Sequence, residues 1–100
     1  MRLVSLACTL LICVVSVPAM AADPHLGRSL AATCANCHGT DGKTQGTDLV
    51  TLAGMPANQM LGKLNEFKEG TRQATIMPQI VKGFTNEQLK LIADYFAKQR

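Results

Sequence analysis

Residues 34–39 read Cys-Ala-Asn-Cys-His-Gly, "CANCHG", and their spacing decides the fold. Two residues between cysteines let the sulfurs of Cys34 and Cys37 reach two vinyl groups along one side of a porphyrin and form thioethers. The adjacent imidazole of His38 then lies beneath the ring, where a nitrogen can bind the iron. C-x-x-C-H is the attachment signature of haem c, here one per chain, with Cys34 and Cys37 as covalent attachment points and His38 as the proximal ligand. The other uses of such a pair fit the chain less well. A thioredoxin-like dithiol follows a strand in an α/β pattern, and no run here alternates as a strand. A zinc site would recruit His25 beside Cys34, Cys37 and His38, but adjacent Cys37 and His38 are awkward partners on one tetrahedral ion. A plain disulfide between Cys34 and Cys37 is the remaining alternative.

The N-terminal stretch reads as an export signal. Met1 and Arg2 make a short positive start, and Leu3 to Val17 are apolar apart from Ser5, Thr9 and Ser16. Pro18 breaks the run, and Ala19-Met20-Ala21 has the small-x-small pattern of a signal-peptidase site. The apolar run is short for a bilayer span, which needs around 20 residues. The expected division is therefore a signal peptide over 1–21 and one exported domain over 22–100, periplasmic and without a membrane span in its mature form.

Cutting after Ala21 leaves about 79 residues, enough for a single small domain. Cys8 and Cys13 leave with the signal, as does Arg2, so the net charge falls from +3 to +2. Lys and Arg are dispersed rather than clustered, which argues against a nucleic-acid footprint. A domain this short buries too little apolar surface to be secure on its own, and it has only four aromatic residues. Small domains in this position add a staple, and a covalent haem would be one.

Where the mature chain shows a period, it is helical. Asp23 and Pro24 read as a cap and a first-turn proline, leading a helix with Leu26, Leu30 and Thr33 or Cys34 along one side. Gly27 in that helix costs about 1 kcal/mol against Ala, a cost that makes sense where another helix approaches closely. The polar loop "GTDGKTQGTD" (39–48) has no period and should wrap something. Pro56 opens a second helix with Met60, Leu61, Leu64 and Phe67 at helical spacing, and Gly70 suits its end. "TRQATIMPQIVKG" (71–83) reads as an apolar connection. Thr85 and Gln88 then form a capping box, with Phe84 and Leu89 as a hydrophobic staple, before a face of Leu89, Ile92, Ala93 and Phe96. The fold class is all-α: three or more short helices and loops wrapped around one covalently bound haem.

The sixth iron position has four candidates in the mature chain: His25, Met55, Met60 and Met77. His25 lies too near the attachment site to be carried around the ring. Met60 sits at core spacing within a helix, where ordinary packing explains it. Met55 is only 17 residues beyond His38, whereas Met77 is 39 residues beyond it, enough chain to form the opposite wall. Pro78 is expected to push Met77 out of helical geometry. Met77 is the expected metal ligand, and Met55 the alternative.

With these residues in hand, "CANCHG", "LAG" (52–54), a Met-bearing connection and a terminal amphipathic helix resemble a class I c-type cytochrome. The resemblance implies a small class I cytochrome c fold in which the first and last helices cross at a glycine and an aromatic, here Gly27 with Leu30 against Ile92 with Tyr95. Residues 66–99, "EFKEGTRQATIMPQIVKGFTNEQLKLIADYFAKQ", are similar to the monohaem subunits of flavocytochrome c sulfide dehydrogenases. That likeness assigns Met77 as ligand and implies a periplasmic electron carrier, not itself an enzyme, that accepts electrons from a sulfide-oxidising flavoprotein subunit or other redox protein. Free cytochromes carrying electrons to a terminal oxidase share similar stretches and supply the alternative. A haem enzyme or gas sensor with an open sixth site is a third reading. Many family members place a proline after the loop glycine, and its carbonyl orients the proximal histidine; here Thr47 follows Gly46, so another carbonyl is needed.

Replacing both Cys34 and Cys37 by Ala should abolish covalent haem and leave the chain largely unfolded. Haem retention through denaturing electrophoresis and far-ultraviolet circular dichroism check this. A stable, helical, haem-free double variant would be the contrary result.

Overall fold

The computed structural model describes residues 22–100, and the expected signal segment lies outside the described residues. Four α-helices and one 3-10 turn follow in order: α1 (Leu26–His38), the turn Thr40–Gly42, α2 (Ala57–Glu69), α3 (Met77–Val81) and α4 (Asn86–Ala97). Among the described residues there is no strand. The all-helical expectation holds, with α3 as an addition to it.

Helix α1 starts two residues later than a cap at Asp23 implies. The Asp23 carboxylate accepts from the His25 amide at 2.8 Å, and its carbonyl accepts from Leu26 N at 3.2 Å. Asp23-Pro24-His25 thus forms the turn that leads into the helix, with His25 in the capping position. From there α1 runs unbroken to His38, so Cys34, Cys37 and His38 are helical themselves. Only Ala31 of this helix is fully buried.

Gly27 explains how α1 is held. A Cβ built there would lie 3.0 Å from the Leu91 carbonyl oxygen and 3.5 Å from the Tyr95 Cβ. The two helices therefore meet main chain to main chain, the close approach that a glycine permits. The crossing partners are the Leu91 backbone and Tyr95, whereas Ile92 points into the core, 1% exposed. Tyr95 stands at Gly27 as expected and Leu30 packs against the core that includes Ile92, while the atom nearest Gly27 is a main-chain carbonyl.

Helix α2 begins after Pro56 and buries Met60 and Leu64. Gly70 ends it in the left-handed conformation at φ 79°, donating to the Glu66 and Phe67 carbonyls. The Lys68 ammonium then reaches the Phe84 carbonyl at 3.0 Å and Asn86 Oδ1 at 3.2 Å, tying the last turn of α2 to the entrance of α4.

Residues 77–81, expected to be an irregular connection, form α3, and Met77 is its first residue rather than a loop residue. Pro78 lies in the first turn. There its missing N–H is one that the helix would leave unpaired anyway, and its fixed φ already suits the helix. The proline thus starts a helix that it was expected to prevent.

Helix α4 is built as its pattern foretells. Thr85 Oγ1 accepts from Gln88 N at 3.2 Å, and Gln88 Oε1 accepts from Thr85 N at 2.8 Å, a reciprocal capping box. Leu89, Ile92, Ala93 and Phe96 are buried, and Phe96 is fully so. With Ala31, Met60, Leu64 and Val81 they make the whole buried core of the described residues, all of it apolar. Phe84 packs against its edge.

Thr85→Ala should remove only the cap, worth about 1 kcal/mol. Thermal melts should shift down by about 4–8 °C, the size expected for a domain of this length, while the visible spectrum stays unchanged. An altered spectrum would couple α4 to the iron more directly than its cap does.

Candidate functional site

The four helices leave an apolar cavity of about 500 Å³ between α1, α2, α3 and the loop 48–55. This lies within the 300–1,000 Å³ range of cofactor sites. Cys34, Cys37 and His38 form one side, delivered by the last turns of α1. Cys34 and His38 stand four positions apart, which places them on one face of the helix. Leu64 and Phe67 of α2, Ile80 of α3, and Ile92 and Phe96 of α4 supply the apolar walls.

The imidazole of His38 is held by a main-chain group. Its Nδ1 lies 2.7 Å from the Val50 carbonyl oxygen. A carbonyl oxygen only accepts, so Nδ1 carries the proton and donates, and the lone pair is left on Nε2. This is the tautomer that a metal-binding histidine requires, with an outer partner fixing the ring. Sequence reasoning foresaw the need for such a carbonyl without locating it. Val50 lies four residues beyond Gly46, where only the path of the loop could reveal it.

That path is set by a tight backbone device. The Gly42 carbonyl accepts from both Leu52 N at 2.9 Å and Ala53 N at 3.1 Å, which pins the two arms of the loop just beyond Val50. Thr44 and Thr51 hydroxyls pair across the same arms at 2.7 Å, and Gly54 N donates to the Phe96 carbonyl at 2.9 Å. Gly42 itself has φ 79°, and a Cβ there would lie 2.8 Å from both Ala53 N and the Phe96 ring. Both its conformation and its surroundings require glycine.

Cys34 and Cys37 are unpaired thiols, the first half-buried and the second exposed. Burial pushes the Cys34 thiol up from its ordinary value, against a smaller opposing pull from a backbone hydrogen bond. Among the described residues no three His, Cys, Asp or Glu side chains gather as a metal-binding group. The zinc arrangement with His25 is therefore not what the fold builds, and His25 is absent from the cavity wall.

Met55, Met60 and Met77 all line the cavity. Met60 is almost wholly enclosed in the core, whereas Met55 and Met77 are half-buried. Lys63 and Arg72 are the basic residues of the wall, a feature that the sequence reading missed. Arg72 is fixed in place: its Nε donates to Glu66 Oε2 at 2.6 Å, and its guanidinium lies 5.8 Å from the centre of the Phe67 ring. Two thiols, an imidazole with a free Nε2, thioethers, an apolar interior and two cations suit a porphyrin with two vinyl groups, a central iron and two carboxylates. The residues fit haem.

A helical shell of this kind, around an apolar cavity with two cysteines and a histidine presented from one helix, is what proteins that bind haem covalently build. Residues 25–99 match the family model for cytochrome c, and the chain belongs to the cytochrome c family. It is an electron-transfer protein carrying covalent haem c. It is 39% identical over 70 residues to the cytochrome subunit of sulfide dehydrogenase of Chlorobaculum tepidum, covering 70% of this chain and 63% of that one. It is 33% identical over 80 residues to cytochrome c4 of Pseudomonas aeruginosa, covering 80% of this chain and 40% of that one. Cytochrome c-553 of Nitratidesulfovibrio vulgaris is 33% identical over 84 residues, covering 80% of this chain and 79% of that one.

Two glycine substitutions separate backbone strain from crowding. Gly46 has φ 91° with open space around it, so Gly46→Ala should cost about 1–2 kcal/mol, the left-handed penalty alone. Gly42→Ala adds a collision with Ala53 and Phe96 and should cost about 3–5 kcal/mol. Denaturant unfolding of the two holoprotein variants measures both, and equal costs would contradict the packing described at Gly42.

Proposed function

We propose that Cys34 and Cys37 hold the haem through thioethers, that His38 and Met77 are its axial ligands, and that the cytochrome works in the periplasm as the electron-accepting partner of a sulfide-oxidising flavoprotein. The observation that carries the site is the His38–Val50 hydrogen bond. It spends Nδ1 on the protein and leaves Nε2 for iron, on the same helix as both attachment cysteines. Met77 is favoured by its half-buried place on α3, an element that packs on α2 rather than on α1. Met60 is already used by the core.

Haem supplies reversible one-electron chemistry between ferric and ferrous iron when bound. The chain's contribution is to orient, enclose and tune. Val50 fixes the imidazole, and Leu64, Phe67, Ile80, Ile92 and Phe96 exclude water from the interior. Lys63 and Arg72 can offset the two carboxylates. With His38 and Met77 as its ligands the iron would have a relatively high potential, suited to taking electrons from a flavin.

The partner reading rests on the likeness to the cytochrome subunit of sulfide dehydrogenase, together with the export pattern of residues 1–21. No helix of the described residues is long and apolar enough to cross a membrane. A second reading, a freely diffusing carrier, is supported by the likeness to cytochrome c-553, of which the chain covers 79%.

Met77→Ala should remove the weak far-red band of the ferric protein, lower the potential and let carbon monoxide bind the ferrous form. Met55→Ala and Met60→Ala should keep that band. Loss of the band in Met55→Ala with its survival in Met77→Ala would reverse the assignment, and carbon monoxide binding by the unaltered ferrous protein would indicate an open sixth site.

Gel filtration of native extract at low and high salt, followed by haem absorbance, tests the partner. Haem co-eluting with a flavin-containing chain at both salts is the expected result. Haem running always as a small monomer would leave the free carrier.

A further inference from the structure

The Tyr95 hydroxyl donates to Asp41 Oδ1, joining α4 to the 3-10 turn across 54 residues of sequence. Asp41 is the one non-glycine residue with positive φ among those described, at 55°. L-residues adopt such a conformation rarely, and it persists where surrounding contacts impose it. Asp41 stands three residues after His38 and immediately before Gly42, whose carbonyl pins Leu52 and Ala53. The loop that presents the Val50 carbonyl to His38 is thus fastened to α4 at neighbouring residues: through Tyr95 to Asp41, and through Phe96 to Gly42 and Gly54. The phenol is pushed up from its ordinary value, first by the hydrogen bond to Asp41 and then by desolvation, against a smaller opposing pull from Arg28. It therefore remains a donor at neutral pH.

We propose that Tyr95 is a positioning residue for the iron centre: by holding Asp41 in its left-handed conformation, it sets the length of the His38 Nδ1–H···O=C Val50 hydrogen bond. This rests on the reading of His38 as an axial ligand. A shorter bond makes the imidazole a stronger donor and favours ferric iron, so the tether holds the reduction potential down. Slackening it lets the Val50 carbonyl retreat and the potential rise, although no group in contact with haem has changed.

The test uses the holoprotein with Tyr95→Phe, which keeps the ring and deletes the donor. Three quantities are read: the reduction potential, the exchange of the His38 Nδ1 proton with solvent in the ferrous protein, and the thermal midpoint. The potential should rise and exchange should accelerate at least tenfold, with the ferric far-red band retained. Asp41→Ala should behave like Tyr95→Phe. Asp41→Asn should restore both quantities towards the unaltered protein, because Asn tolerates positive φ and its side-chain oxygen can still accept. A fall in thermal midpoint with unchanged potential and unchanged proton exchange would overturn the proposal and leave the tether a stabilising contact only. Failure of the ligand reading would show separately, as a His38 ring resonance in the unaltered ferric protein without a paramagnetic shift.

Discussion

Helix α1 can deliver Cys34, Cys37 and His38 to the cavity only if its distance from α4 is fixed, and that distance is set at Gly27. With a Cβ position just 3.0 Å from the Leu91 carbonyl, any larger residue would push the two backbones apart. Helix α4 is anchored at both levels: its start is closed by the Thr85–Gln88 box, and its apolar face is buried along four residues. The last turns of α1 are thus referred, through one crossing, to the helix that supplies half of the buried core. Displacement at the crossing would be carried along α1 as a rigid lever to its last turn.

The same helix serves the other side of the site. Phe96 is at once a wall of the cavity, the surface that excludes a side chain at Gly42, and, through its carbonyl, the acceptor for Gly54. The polypeptide core of eight apolar residues is modest, and several of its members face the cavity as well as one another. Burial of apolar surface is the main favourable term in folding, so filling the cavity completes a core whose protein half is insufficient. Local signals at the caps order the helices, but the cofactor surface is what their inner faces share.

Which parts of this were legible in the sequence follows from how local each cause is. The C-x-x-C-H pattern lies within five consecutive residues, so the family and its cofactor could be read outright. The Thr85–Gln88 cap and the Gly70 stop depend on residues within one helical turn and were equally readable. The closeness announced by Gly27 and its Tyr95 neighbour were legible too, whereas the nearest atom, the Leu91 carbonyl, was not, because a main-chain group carries no mark in the sequence. Helix α3 was missed because Pro78 has opposite meanings at a helix start and in a helix interior, and a five-residue element has no periodicity to decide between them. Val50 was invisible for a different reason: a backbone carbonyl is present at every residue, so composition carries no mark of the one that is used. Lys63 and Arg72 carry no local mark among the dispersed basic residues, and only the fold of α2 and the segment after it puts both on one wall.

The partner of the His38 imidazole is main chain, and this has a consequence for how the centre can vary. A side-chain acceptor could be deleted or recharged by one substitution, changing the iron's electronic environment in a single step. Every residue that could stand at position 50 still carries a carbonyl, so mutation there acts on the contact only through the path of the backbone and its access to water. Variation in redox behaviour is thereby displaced from the contact itself to the residues that shape the loop, where changes act by small increments. The protein holds its working potential the way a tuned string holds pitch, adjustable at the pegs and indifferent to what is painted on the wood.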